Sequence, residues 1–136
     1  MKVKIAIFAS GGGTNAENLG LYFRKSEIAE IKLIVTNNSN AGVIPRARKL
    51  GIPCHVLAYT FLSNGASITK FLRSHQIDFI VLAGYLMKIP KQLVQAYQGK
   101  IVNIHPALLP AYGGKGMYGM HVHEAMVKAN ENQSGI

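Results

Sequence analysis

The chain is 136 residues long, 49% hydrophobic and 15% charged, enough apolar material for one domain with a buried core and too little charge for a disordered chain. Its formal net charge of +9 would suit nucleic acid, yet the basic residues fall in ones and twos without interleaved stacking aromatics, so they read as a solvated surface that steers small anions. No apolar run approaches the roughly 20 residues of a membrane span, the first strand runs too soon into glycines for a signal sequence, and the single cysteine, Cys54, excludes an internal disulfide. A cytoplasmic protein with neither nucleic-acid nor membrane partners is expected.

Residues 3–9 form a near-continuous apolar run, as in a strand buried on both faces of a parallel sheet, and end in Ser10-Gly11-Gly12-Gly13. Thr14 or Asn15 is expected to cap the helix that follows, whose Leu19, Tyr22 and Phe23 recur at helical spacing before Arg24-Lys25 and Ser26 close it. A second strand is expected over residues 31–35, a second helix over 41–50 closed by Gly51, and a short third strand over 53–57. Ile68, Phe71 and Leu72 mark a third helix, residues 79–83 a fourth strand, residues 90–97 a helix with proline in its first turn, and residues 100–104 a fifth strand. Such regular alternation predicts a doubly wound, mostly parallel α/β sheet with Rossmann-like βαβ units. Val122, Ala125, Met126 and Ala129 predict a final helix, and the glycine-rich residues 112–119 before it are expected to form a lid.

Several polar signals carry no chemistry of their own. Gly114-Lys115 resembles a phosphate-binding P-loop in part, but no strand leads into it and no Ser or Thr follows the lysine. Cys54 lies beside His55 without further spaced metal ligands and is expected to be a small buried hydrophobe. His55 and His75 read as surface or turn residues, and His121 and His123, two apart on a helix, point away from each other.

Three glycines after a buried strand let backbone N–H groups approach a ligand and take positive φ, and the next helix adds a partial positive charge, so a phosphate fits there. Gly11 to Ala16 also satisfy G-x-G-x-x-A, but the second strand ends in Thr36-Asn37-Asn38-Ser39-Asn40, and no acid between residues 31 and 66 is available for the ribose of a dinucleotide. An NADP site would have to use Arg46 or Arg48, and a purely structural role for the glycines stays open. In a doubly wound sheet the ligand crevice lies at the carboxyl ends of the strands, where three segments are expected to converge: residues 11–15, the unusually apolar residues 84–89, and residues 103–110. In the last, Asn103 and His105 stand two apart on a strand and share a face, pairing an amide donor with an imidazole that titrates near neutrality. That pair suits acyl-type transfer, and a structural turn before Pro106 and Pro110 is its alternative.

Residues 10–15 (Ser-Gly-Gly-Gly-Thr-Asn), 81–85 (Val-Leu-Ala-Gly-Tyr) and 103–110 (Asn-Ile-His-Pro-Ala-Leu-Leu-Pro), in this order, resemble the phosphoribosylglycinamide formyltransferase family, with the likeness spanning the chain. The resemblance implies that Gly13, Thr14 and Asn15 hold the substrate's ribose phosphate, and that Leu86, Met87, Lys88 and Ile89, with Asn103, bind 10-formyltetrahydrofolate. Asn103 and His105 match the family's catalytic pair, no metal is implied, and the partners are phosphoribosylglycinamide and the formyl folate. Methionyl-tRNA formyltransferase and formyltetrahydrofolate hydrolase share Asn-x-His, but the triple glycine with Thr-Asn favours the sugar phosphate. An anion-binding α/β remnant without activity, and the oligomeric state, stay open.

Two departures from the family pattern bear on activity. No basic residue among residues 60–67 serves the glutamate side of the folate, which leaves Lys88 as a substitute. The family also carries an aspartate several residues beyond a segment matching Ser134-Gly135-Ile136, and such a carboxylate would raise the histidine's pKa by favouring its charged form. The expectation is a single formyltransferase-type domain over residues 1–136 that lacks its C-terminal strands and has little transfer activity.

Overall fold

The computed structural model describes residues 1–104, so the expected lid, final helix, His105, His121, His123 and the turn at Pro106 and Pro110 lie outside the described residues. Met1–Val102 form one compact unit, and Asn103 opens a second. The elements run β1 (Val3–Phe8), α1 (Thr14–Phe23), β2 (Ala29–Thr36), α2 (Val43–Leu50), β3 (Cys54–Val56), α3 (Tyr59–Leu62), α4 (Gly65–Ser74), β4 (Phe79–Ala83), α5 (Lys91–Ala96) and β5 (Ile101–Ile104).

The strands form one sheet in the order β3-β2-β1-β4-β5. β1 pairs in parallel with β2 and β4, and β2 in parallel with β3. β1 is thus covered on both edges and central, which explains why Ile5 to Phe8 are all buried and why the run lacks polar alternation. Alternate residues feed the two faces. Ala6 and Phe8 of β1, Leu33 and Val35 of β2, and Ile80 of β4 join Leu62, Ile68, Leu72 and Leu93 in one core cluster under α3, α4 and α5. Residues of the other parity, Ile5, Ile7, Ile34 and Val81, are buried too, and the buried positions of α1 and α2 are Ala16, Gly20, Val43 and Ala47.

The α/β class and the parallel sheet are as expected, and several details differ. β2 begins at Ala29 because Ala29 and Glu30 pair with Val3 and Lys4. α3 is an additional helix of four residues. Tyr22 is 77% exposed; α1 turns Ala16 and Gly20 inward instead, since a side chain at Gly20 would meet Leu50 Cδ1 at 2.9 Å. α2 closes on Gly51 in the left-handed region, as expected. Tyr97, at the end of α5, is buried and donates its hydroxyl to the Ile77 carbonyl (2.8 Å), tying that helix to the entry of β4.

Cys54 is half-buried rather than buried, and desolvation pushes its thiol up, away from the thiolate that reactivity needs. His55 and His75 are packed residues: β3 and α4 bring their rings to 5.4 Å, and both lie against Phe71 (5.2 and 4.5 Å). Burial, then the neighbouring His75, lowers the His55 pKa. Among the described residues no group of three or more side chains is arranged to hold a metal.

Candidate functional site

The carboxyl ends of β1, β2 and β4 are joined by a few short contacts. β1 runs into buried Ser10, then into Gly11 and Gly12, which are exposed, and Gly13, which is half-buried. The chain turns at Gly13 through φ 80°, ψ 21°, a left-handed conformation that L side chains avoid, and enters α1 at Thr14. A Cβ at Gly13 would sit 2.6 Å from Val43 Cβ and 2.7 Å from Val43 Cα, so the loop lies flush on the start of α2. The Val43 N–H donates to the Gly11 carbonyl (3.0 Å), and Gly42 faces Gly12, where an added Cβ would come to 3.0 Å from the Gly12 Cα.

Thr14 and Asn15 do not cap α1. Gly13 is the N-cap, no side chain caps the helix, and Thr14 and Asn15 are already helical with exposed side chains. The reason is steric: the residue before the helix must take positive φ and abut Val43, a position open only to glycine. The Glu17 N–H reaches the Gly13 carbonyl (2.8 Å), whereas among the described residues no acceptor takes the N–H groups of Gly13, Thr14 or Asn15. Three adjacent backbone donors at a helix N-terminus thus have no acceptor among the described residues, an arrangement suited to a phosphate or carboxylate.

The end of β2 differs from that of a dinucleotide fold. Thr36 is fully buried, and its Oγ1 accepts from the Asn38 N–H (3.3 Å), while Asn38 Oδ1 accepts from the Asn40 N–H (2.9 Å), so these two acceptors are spent on the local turn. Arg46, a residue on which an NADP site would depend, is paired with Glu17 of α1 at 2.9 Å. Both features count against a dinucleotide.

After β4 the chain turns at Gly84 (φ 71°). Tyr85 folds back edge-on against Phe8 (5.2 Å), where burial pushes its hydroxyl pKa up to about 12 and keeps it neutral. Leu86 is 57% exposed, Lys88 is exposed, Met87 is half-buried, and Ile89 packs on the core beneath α4 and α5. Of the four residues in this loop expected to bind the folate, Leu86 presents the most exposed apolar side chain and Ile89 is partly a core residue. Asn103, in the edge strand β5, is exposed.

Ser10 and Asn37 were not among the expected site residues. Ser10 Oγ donates to Asn37 Oδ1 (2.6 Å) and accepts from the Leu86 N–H (2.9 Å), and the Ser10 N–H donates to the Gly84 carbonyl (3.1 Å). One small buried residue thus ties the ends of three strands together. The sequence signal for it, a serine directly before three glycines, becomes informative only once β2 and β4 are known to flank β1.

Residues 3–136 match the family model described as formyl transferase. A chloroplastic phosphoribosylglycinamide formyltransferase of Arabidopsis thaliana is 43% identical over 138 residues, covering 97% of this chain and 47% of that protein. The phosphoribosylglycinamide formyltransferase of Bacillus subtilis is 40% identical over 116 residues, covering 82% of this chain and 60% of that protein. Among solved structures, glycinamide ribonucleotide transformylase 1 of Geobacillus kaustophilus superposes with a TM-score of 0.82 at 35% identity, covering 96% of this chain and 70% of its own. The chain spans about half the length of the plant relatives it matches.

Proposed function

The chain belongs to the formyl transferase family, and on that premise we propose that it carries the substrate-binding part of a phosphoribosylglycinamide formyltransferase, which moves a formyl group from 10-formyltetrahydrofolate to the glycinamide amine in purine biosynthesis. The ribose phosphate binds the N–H groups of Gly13, Thr14 and Asn15, and Leu86, Met87 and Ile89, with Asn103, line the folate site. Lys88 supplies a cation for the folate's carboxylates. The amine nitrogen attacks the formyl carbon, and the Asn103 amide and protonated His105 steady the oxyanion of the tetrahedral intermediate. The carbon–nitrogen bond to the folate then breaks, the amine's proton is passed on with His105 as relay, and tetrahydrofolate leaves.

The observation that carries this reading is the glycine turn, with its left-handed Gly13 pressed on Val43 and three backbone donors at the start of α1 that have no acceptor among the described residues. It offers a monophosphate a cradle, while the β2 end has no acid for a dinucleotide's ribose and spends its Thr36 and Asn38 oxygens on the local turn. The names of the relatives add the substrate. A cytoplasmic location is proposed with it; among the described residues no helix is long and apolar enough to cross a membrane. Calorimetric titration provides the test. Phosphoribosylglycinamide should bind in competition with ribose 5-phosphate, and NAD and NADP should fail to compete; displacement of the ligand by NADP would overturn the assignment.

A further inference from the structure

We infer that Ser10 is a positioning residue that fixes the apolar wall after β4 relative to the glycine loop after β1. The case begins with how little else holds that wall. Tyr85 is anchored at one end by its edge-on contact with Phe8, and Ile89 at the other by the core. Between them, Leu86 is 57% exposed, Lys88 is exposed and Met87 is half-buried, so packing holds this stretch only in part. Among the described residues, the bond from the Leu86 N–H to Ser10 Oγ (2.9 Å) is the one hydrogen bond made by residues 85–89.

The geometry at Ser10 makes that bond directional. Its side chain is shielded, the residue being 5% exposed, and its single hydroxyl proton is committed to Asn37 Oδ1 at 2.6 Å. The hydroxyl cannot rotate to donate elsewhere without losing that partner, so a lone pair stays aimed at Leu86. Asn37 therefore acts through Ser10, and the end of β2 helps to set the loop after β4. The backbone of Ser10 leads directly into Gly11 and also donates to the Gly84 carbonyl (3.1 Å). The anion loop and the wall are thereby held in fixed register by one buried residue.

For its effect on ligands this inference rests on the formyl-transfer reading, and the test separates the two. In the full chain, Ser10→Ala should speed hydrogen exchange at the Leu86 amide while leaving the Ala9 amide, which is bonded to the Val35 carbonyl (2.9 Å), unchanged. The Kd for tetrahydrofolate should rise about tenfold, as expected for loss of one oriented hydrogen bond, with that for ribose 5-phosphate changed less than about twofold. In a folded Ser10→Ala, equal weakening of both ligands with faster exchange at Ala9 as well as Leu86 would overturn the positioning role, as would an unchanged Leu86 amide. Should Ser10→Ala not fold, Asn37→Ala keeps the hydroxyl and removes only its acceptor; faster exchange at Leu86 supports the inference and an unchanged rate refutes it. If the wild-type chain binds neither ligand, the formyl-transfer reading fails, and the exchange rates alone decide the role of Ser10.

Discussion

Replacing Gly13 by alanine strains the site's central turn in two ways, through its backbone conformation and through its contact with α2. The residue sits at φ 80°, where a side chain costs roughly 1–2 kcal/mol from backbone sterics alone. The new Cβ would also stand 2.6 Å from Val43 Cβ and Cγ2 and 2.7 Å from Val43 Cα. Forcing a methyl into a packed contact costs about 1–3 kcal/mol, so the total is about 2–5 kcal/mol, a large share of the roughly 5–15 kcal/mol that holds a domain folded. No exchange at residue 43 relieves it, because the contact with the Val43 Cα persists whatever the side chain. Gly11→Ala is the matched control: its Cβ would meet nothing within 4 Å, and its φ is not positive. In urea unfolding with m about 2 kcal/mol/M, Gly13→Ala should lower the midpoint by about 1–2.5 M, and Gly11→Ala should shift it by less than about 0.3 M. Equal midpoints for the two variants would refute both the left-handed turn and its contact with α2.

Three further perturbations probe the surrounding fold. Tyr97→Phe removes the hydroxyl that satisfies the Ile77 carbonyl (2.8 Å) and should cost about 1–2 kcal/mol in the same assay; no loss would mean that the carbonyl finds another donor. Because the folded state lowers the His55 pKa below 6.5, the unfolded chain binds more protons as pH falls past that value, so stability should be full above about pH 6.5 and decline below it. His55→Phe should flatten that acid limb, and an unchanged pH profile would exclude His55 as its source. Glu17→Gln breaks a pair whose side chains are 25% and 39% exposed, so it should cost no more than about 1 kcal/mol and less in high salt; a larger, salt-independent loss would show that the pair braces α1 against α2 more firmly than its exposure suggests.

Much of the fold was legible because its strongest signals are local. The run Phe79–Ala83 has the predicted bounds, and Gly51 ends α2 as a left-handed cap should. What escaped depends on contacts between distant residues. The four residues of α3 are too few to display a helical period. Thr14 and Asn15 have the right chemistry for a cap, but the approach of Val43 to Gly13 gives the position to glycine. Tyr22 fits the helical spacing of apolar residues, yet α1 buries its smallest residues because α2 comes close at Gly20. His55 and His75 lie twenty positions apart and meet only because β3 packs beside α4. At the candidate site, the glycine turn and the apolar loop were visible as composition, whereas the bonds of Ser10 to Asn37 and Leu86 require the strand order β2-β1-β4.

The most direct test of the account is a residue-resolved NMR titration of the chain with phosphoribosylglycinamide. Saturable amide shifts centred on Gly13, Thr14 and Asn15, reproduced by ribose 5-phosphate, are the predicted result. Saturable binding that leaves those three amides unmoved, or no binding at all, would contradict the placement of the substrate phosphate at the start of α1 and with it the formyl-transfer assignment.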